Sequence, residues 1–235
     1  MLEGSGIQRN EWCGSEQPRA LLPHFTFTPA IVPVGGPAKR CFDILLSILL
    51  LPLAAILSLP IACLVAIHGG SPIYGHLRVG WNGKLFRCYK FRTMVAEAED
   101  ELQAILERDP EARLQWLERF KLENDPRVTS LGRFLRYTSL DEIPQLWNVL
   151  CGEMSWVGPR PVIPDELAKY GTQVSSYLVC RPGVTGLWQI RRHRNTTYNE
   201  RVAFDVEYAR HRTAARDLAI LCLTIPCLFA ARDRA

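Results

Sequence analysis

Residues 44–67 read ILLSILLLPLAAILSLPIACLVAI, with no charged side chain among them. As one straight helix this stretch would reach about 36 Å, against a hydrocarbon core of about 30 Å. The core helix of a soluble protein keeps a polar stripe, whereas this segment is apolar all round and so belongs in a membrane. Pro52 and Pro60 each remove a backbone donor and favour a bend. Basic residues lie on both sides, Lys39 and Arg40 before and Arg78, Lys84, Arg87, Lys90 and Arg92 after. Under the positive-inside tendency both ends then prefer the cytoplasm. A re-entrant helical hairpin over residues 38–68 satisfies both features better than a full crossing.

Upstream, residues 1–37 are rich in Gly, Pro and small polar residues without apolar periodicity, and read as a poorly ordered tail. They lack a basic region running directly into an apolar core, which argues against a cleaved signal peptide. Downstream, residues 69–235 read as a cytoplasmic domain. Two alternating stretches around Trp81-Asn82-Gly83 predict a small β-hairpin. Leucines and aromatics at helical spacing over 94–122, broken at Asp109-Pro110, predict two amphipathic helices. The apolar segment 217–231 is too short to cross a membrane and follows Arg210, Arg212 and Arg216, as an in-plane interfacial helix does, with a core helix as the alternative. The expected fold class is α+β, mostly helical: a re-entrant membrane hairpin on a compact domain with interfacial amphipathic helices.

A chain of 235 residues with net charge +4 holds one ordinary domain plus short appendages. Its arginines gather at 78–92, 127–136 and 191–216, which suits anionic lipid, phosphorylated substrates or nucleic acid alike. Eight cysteines without a C-x-x-C pair read as reduced packing residues, neither a disulfide frame nor a zinc site.

The stretch from Arg136 to Leu150, RYTSLDEIPQLWNVL, reads as a helix start. Pro144 suits the first turn, which puts the N-cap near Asp141. Asp141 followed by Glu142 is ordinary helix-start chemistry, and Ser139 with Glu142 could form a capping box. The functional reading rests on the neighbours. A helix N-terminus favours carboxylates and phosphates alike, and Arg127, Arg133 and Arg136 supply phosphate donors. Two carboxylates with arginines beside them are what a magnesium-dependent diphosphate reaction needs. In Gly158-Pro159-Arg160-Pro161 two prolines stiffen the presentation of one guanidinium, and Arg181-Pro-Gly-Val-Thr-Gly186 repeats the theme.

In order, the proline-broken apolar helix after Lys39-Arg40, Lys90-Phe-Arg-Thr-Met94, Ser139-Leu-Asp-Glu-Ile-Pro-Gln-Leu-Trp-Asn-Val-Leu150, Val157-Gly-Pro-Arg-Pro161 and Arg181–Gly186 resemble the bacterial sugar transferase family. These are monotopic polyprenyl-phosphate phosphoglycosyl transferases, and the likeness covers about residues 38–230. The stretch Thr196–Asp205 is similar to members that load hexose phosphate, often galactose phosphate, for exopolysaccharide assembly. The resemblance implies the minimal catalytic form, at the cytoplasmic face of the bacterial inner membrane. It implies a ping-pong reaction in which Asp141 attacks the β-phosphorus of a UDP-sugar and undecaprenyl phosphate takes up the phosphosugar. Magnesium would sit at Asp141 and Glu142, with Arg136, Arg160, Lys90, Arg92 and Arg181 on phosphate or substrate. Two departures stand out. Pro52 and Pro60 flank the place of the family's single break, and Ile190-Arg-Arg-His-Arg194 replaces a Ser-Gly-Arg-like stretch.

Glucose or N-acetylhexosamine phosphate is the alternative cargo within the same reaction. A non-catalytic membrane scaffold leaves Arg160 and the Asp-Glu pair unexplained. Nucleic-acid binding has no recognition motif to accompany the arginines. The expected partners are the UDP-sugar, undecaprenyl phosphate and lipid of the cytoplasmic leaflet, with room for a homodimer.

Overall fold

The apolar stretch lies in helix α1, Gly36–Ile67, which starts eight residues before it and carries Pro52 and Pro60 inside. The computed structural model describes residues 29–67, 70–120, 122, 124–191 and 196–230. Most of the 1–37 tail and residues 192–194 of the departing loop therefore lie outside the described residues. Among the described residues α1 is the one helix long and apolar enough to cross a membrane.

Both ends of α1 are fastened to the same body. Near its start Lys39, Asp43 and Ser47 form a buried polar row at i, i+4 spacing. Asp43 accepts hydrogen bonds from Ser155 Oγ at 3.0 Å and Trp156 N at 3.1 Å, and Trp156 Nε1 donates to Ser47 Oγ at 3.0 Å. Near its end Ile61 and Val65 pack on Phe91 and Leu135. Between these anchors Leu49, Leu53 and Ile56 are 74%, 56% and 71% exposed. That apolar surface has no protein partner in the described structure.

The expected hairpin is present. Strands β1, Ile73–Val79, and β2, Leu85–Phe91, pair antiparallel with Ile73 opposite Phe91 and Val79 opposite Leu85. Their turn places Asn82 at φ 55°, a left-handed conformation that Asn tolerates. The two predicted helices are α2, Ala98–Arg108, and α3, Pro110–Arg119, and they divide at Asp109. Asp109 Oδ1 caps α3 by accepting from the backbone N of Glu111 and Ala112 at 2.9 and 3.1 Å.

Helix α4, Ser130–Thr138, docks edge-on against the end of β2. Gly132 makes this possible, because a Cβ there would stand 2.0 Å from the Thr93 carbonyl oxygen. Helix α5, Gln145–Cys151, is tied to β2 by the buried Asn148, whose amide accepts from Tyr89 N at 3.0 Å and donates to Arg87 O at 2.7 Å. Arg40 closes its other end by donating to the Val149 and Leu150 carbonyls. Lys39 and Arg40 thus serve as internal ties.

Strand β3, Ser155–Val157, pairs parallel with β4, Gly183–Thr185. The loops of Arg160 and Arg181, which lie 21 residues apart in sequence, therefore run side by side. Between them run the short helices α6, Pro164–Leu167, and α7, Val174–Leu178. After β4 come α8, Leu187–Arg191, α9, Tyr198–His211, and α10, Ala214–Ala230. Helix α10 begins three residues before the predicted apolar segment and buries Asp217 and Ile220, while Leu218, Leu223 and Ile225 stay 57%, 50% and 61% exposed. Two of the arginines ahead of the segment hold acids: Arg212 pairs with Asp217 and Arg216 with Glu207.

Candidate active site

The Asp-Glu pair does not cap a helix. Ser139, at φ 57°, ends α4 in a left-handed conformation, and Leu140–Glu142 form a 3-10 turn in which no side chain makes a capping bond. Pro144, not Asp141, occupies the N-cap position of α5. The reason is tertiary. Leu140 and Ile143 pack into the same cluster as Phe91 and Leu135, and their i, i+3 spacing suits a turn of three residues. Both the cap expected at Asp141 and the Ser139–Glu142 capping box are thereby corrected.

The turn presents Asp141, only 5% exposed, to the last part of β2. Lys90 Nζ donates to Glu142 Oε1 at 2.6 Å and stands 3.5 Å from Asp141 Oδ2. Burial, with the Glu142 charge behind it, pushes the Asp141 carboxyl above the ordinary aspartate range, against the pull of Lys90 and Arg136. Burial works to lower the Lys90 ammonium, but Glu142 and Asp141 outweigh it and hold its pKa up. Arg136 reaches over from α4, anchored by Nε to Thr93 Oγ1 at 2.9 Å, and its charge acts on Asp141. The Lys90–Met94 motif thus does three jobs: Lys90 meets the carboxylates, Phe91 fills the core and Thr93 seats α4.

Arg160 faces the same region, since its charge is felt at Lys90, and its guanidinium lies 6.0 Å from the Trp188 ring centre. Its loop is locked to the neighbouring one, Gly158 N donating to Thr185 O at 2.9 Å and Gly183 N to Pro159 O at 2.8 Å. A Cβ on Gly186 would come within 2.1 Å of the Gly158 carbonyl oxygen, so the close approach requires glycine there.

Other candidates turn elsewhere. Arg92 donates to the Ser71 carbonyl at 2.9 Å and covers Tyr74. Arg181 donates to the Gly152 carbonyl at 2.7 Å and lies 5.6 Å from the Trp81 ring centre. Arg127 is buried in an ion pair with Asp125, and Arg133 bonds to Val128 O and Ser130 Oγ. Of the three arginines upstream of the pair, Arg136 is the one brought to it.

Arg78 was not among the expected site residues. From β1 it donates to the Pro161 carbonyl at 3.2 Å, and burial, then the adjacent Arg160 charge, lowers its pKa. Only the pairing of Val79 with Val162 places it there, and no local motif marks it.

Asp141 and Glu142 offer hard oxygen donors, and among the described residues no cluster of three or more His, Cys, Asp or Glu side chains surrounds a point. Lys90 Nζ already stands 2.6 Å from Glu142 Oε1 and 3.5 Å from Asp141 Oδ2, so magnesium would take the other carboxylate oxygens and complete its shell with water and substrate phosphates.

The chain is 51% identical over 186 residues to an undecaprenyl-phosphate galactose phosphotransferase of Salmonella typhimurium, covering 79% of this chain and 39% of that protein. It is 47% identical over 206 residues to the exopolysaccharide production protein ExoY of Rhizobium meliloti, covering 87% of this chain and 91% of that one. A UDP-glucose:undecaprenyl-phosphate glucose-1-phosphate transferase of Klebsiella pneumoniae is 36% identical over 198 residues, covering 80% of this chain and 39% of that protein. The chain thus spans about two-fifths of the length of some relatives and nearly all of ExoY. The model of the bacterial sugar transferase family matches residues 35–231. With the apolar helix, the Asp-Glu turn and the interlocked arginine loops all inside that match, the chain belongs to the bacterial sugar transferase family.

Proposed function

We propose that this protein transfers a hexose 1-phosphate, with galactose as the preferred sugar, from a UDP-sugar to undecaprenyl phosphate by way of a phosphosugar bonded to Asp141. The observation that carries the reading is Asp141 itself: a buried carboxylate, unused as a cap, set between Lys90 and Arg136. An Asp141 oxygen forms a bond to the β-phosphorus while the bond from that phosphorus to the UMP oxygen breaks. An oxygen of the lipid phosphate then attacks the same phosphorus and releases the carboxylate. Arg136 and Arg160 bind phosphoryl oxygens, and Lys90 screens the two acids so that an anionic donor can approach. Glu142 holds the Lys90 ammonium beside Asp141. Magnesium, held by Asp141 and Glu142, would supply charge neutralisation for the diphosphate. Two relatives whose names contain galactose, at 50% and 51% identity, support that sugar over glucose.

The membrane setting follows the same reading. The anchoring of both ends of α1 to one body supports a re-entrant hairpin on the cytoplasmic face of the inner membrane. Pro60 adjoins the packed Ile61, whereas Pro52 lies within the exposed stretch, so we place the bend at Pro52. Leu218, Leu223 and Ile225 of α10 support an interfacial helix.

Protein incubated with UDP-galactose and magnesium, without lipid acceptor, should gain one hexose phosphate on Asp141 and release UMP, and Asp141→Asn should do neither. Failure of the wild type to release UMP from any UDP-sugar would sink the covalent mechanism.

A further inference from the structure

Two of the four residues of the loop 158–161 are prolines, whose rings fix φ on either side of Arg160 but supply no N–H to hold the chain. The place of Arg160 therefore depends on the carbonyls beside it. The Pro159 carbonyl accepts from Gly183 N at 2.8 Å, a backbone-to-backbone bond. The Pro161 carbonyl accepts from Arg78 Nη1 at 3.2 Å, and this donor is a side chain from 83 residues away in sequence. The main chain that carries Arg78 is itself fastened to the end of the loop. Val79 N donates to Val162 O at 2.9 Å. Tyr177 Oη donates to Val79 O at 2.7 Å and accepts from Val162 N at 3.2 Å, so every backbone polar group of that pair is used. Val79, Val162 and Tyr177 are 0%, 0% and 1% exposed, which keeps water out of the seam. On its other edge Val79 stands opposite Leu85 of β2, the strand that bears Lys90. Strand β1 thus lies between the strand of Lys90 and the loop of Arg160 and sets the spacing of the two cations.

We infer that Arg78 is a positioning residue for Arg160, holding through the Pro161 carbonyl the guanidinium that, on the reading proposed above, binds the donor diphosphate. A hydrogen bond from a guanidinium is charge-assisted and directional, so it fixes the plane of the peptide that follows Pro161. Arg78→Met keeps most of the apolar stem and releases that peptide. The seam at Val79, Val162 and Tyr177 stays closed in this variant, because none of its bonds uses the Arg78 side chain. What is loosened is the chain next to Arg160, while the body of the domain is left as it was.

The test measures UDP-galactose binding by calorimetry in lipid nanodiscs, with Asp141→Asn as the parent protein so that no turnover occurs. Arg78→Met should weaken binding about tenfold, the weight of one hydrogen bond from a charged group. Arg160→Ala should weaken it at least as much, and Arg78→Met added to Arg160→Ala should cost nothing further. A loss from Arg78→Met that persists beside Arg160→Ala would mean that Arg78 meets the donor itself or that the fold is damaged, and either overturns the inference. No loss from Arg78→Met, with a clear loss from Arg160→Ala, overturns it too and leaves the diphosphate reading of Arg160 standing. Unchanged binding by Arg160→Ala removes that reading and the inference with it. Should Arg78→Met fail to fold, Tyr177→Phe decides by the same cycle. It frees the Val79 carbonyl and the Val162 N–H at the base of the loop, and its loss must likewise vanish in Arg160→Ala.

Discussion

Asp217→Ala removes the acceptor on which three elements converge. Asp217 Oδ2 receives Lys39 Nζ at 3.1 Å and Arg212 Nε at 2.8 Å, and Oδ1 receives Tyr208 Oη at 2.8 Å. The side chains of Lys39 and Asp217 are 7% and 4% exposed, so water cannot replace the lost partner. Removing one member of a buried pair typically costs about 3–5 kcal/mol, because the other charge is left buried alone. At about 2–4 °C per kcal/mol for a chain of this size, the melting temperature should fall by about 6–20 °C. Thermal unfolding followed by tryptophan fluorescence in detergent reads this directly. Arg191→Ala is the control, since the Arg191–Glu207 pair is 48% and 34% exposed. An exposed pair of that kind is worth less than about 1 kcal/mol. Replacing Lys39 with Met and Asp217 with Leu together should recover part of the loss, as the Lys39 ammonium is then not stranded, although Arg212 still loses its partner. A drop for Asp217→Ala no larger than for Arg191→Ala would refute the idea that this buried carboxylate fastens α1 to the domain.

Lys90→Met removes the cation nearest both acids. Lys90 holds the Asp141 pKa down, and an attacking carboxylate must be ionised, so the acid limb of the labelling rate should move to higher pH and the rate at neutral pH should drop; an unmoved limb would exclude Asp141 as the titrating nucleophile. If α1 re-enters rather than crosses, reporter tags placed before residue 29 and after residue 230 should both be cytoplasmic, and Pro52→Leu should send the first of them to the periplasm in part of the population. A periplasmic N-terminal tag in the unaltered chain would reject the hairpin.

The parts of this fold that were legible in the sequence are those whose causes are local. Asn82-Gly83 between alternating strands, Asp109-Pro110 as the break between two helices, and the apolar run of α1 each carry their own physical reason within a few positions. What could not be read is set by partners far along the chain. Lys39 meets Asp217 across 178 residues and Arg40 meets Val149 across 109, so both looked like flanking charges facing a membrane surface. Arg78 reaches the Arg160 loop only because β1 packs against it, and it stands in no recognisable motif. Arg92 and Arg181 looked equivalent to Arg136 and Arg160 for the same reason: charge is visible in a sequence, while the carbonyl or ring that receives it is not.

The Asp-Glu turn shows how such a misreading can strengthen a functional case. As helix-start residues, Asp141 and Glu142 would have had their oxygens occupied by backbone amides, and no chemistry would be needed to explain them. The apolar spacing Leu140, Ile143, Leu146 instead belongs to a 3-10 turn leading into α5, with Leu140 and Ile143 pinned against Phe91 and Leu135. The core therefore dictates the turn, and the turn takes Asp141 out of the cap position and buries it beside a lysine. Burying a carboxylate costs free energy that a polar or apolar residue in the same turn would avoid. The raised Asp141 pKa reflects that cost, and neither capping nor packing offsets it. A carboxylate kept buried beside Lys90 and Arg136 at that cost is what the nucleophilic role proposed for Asp141 would require.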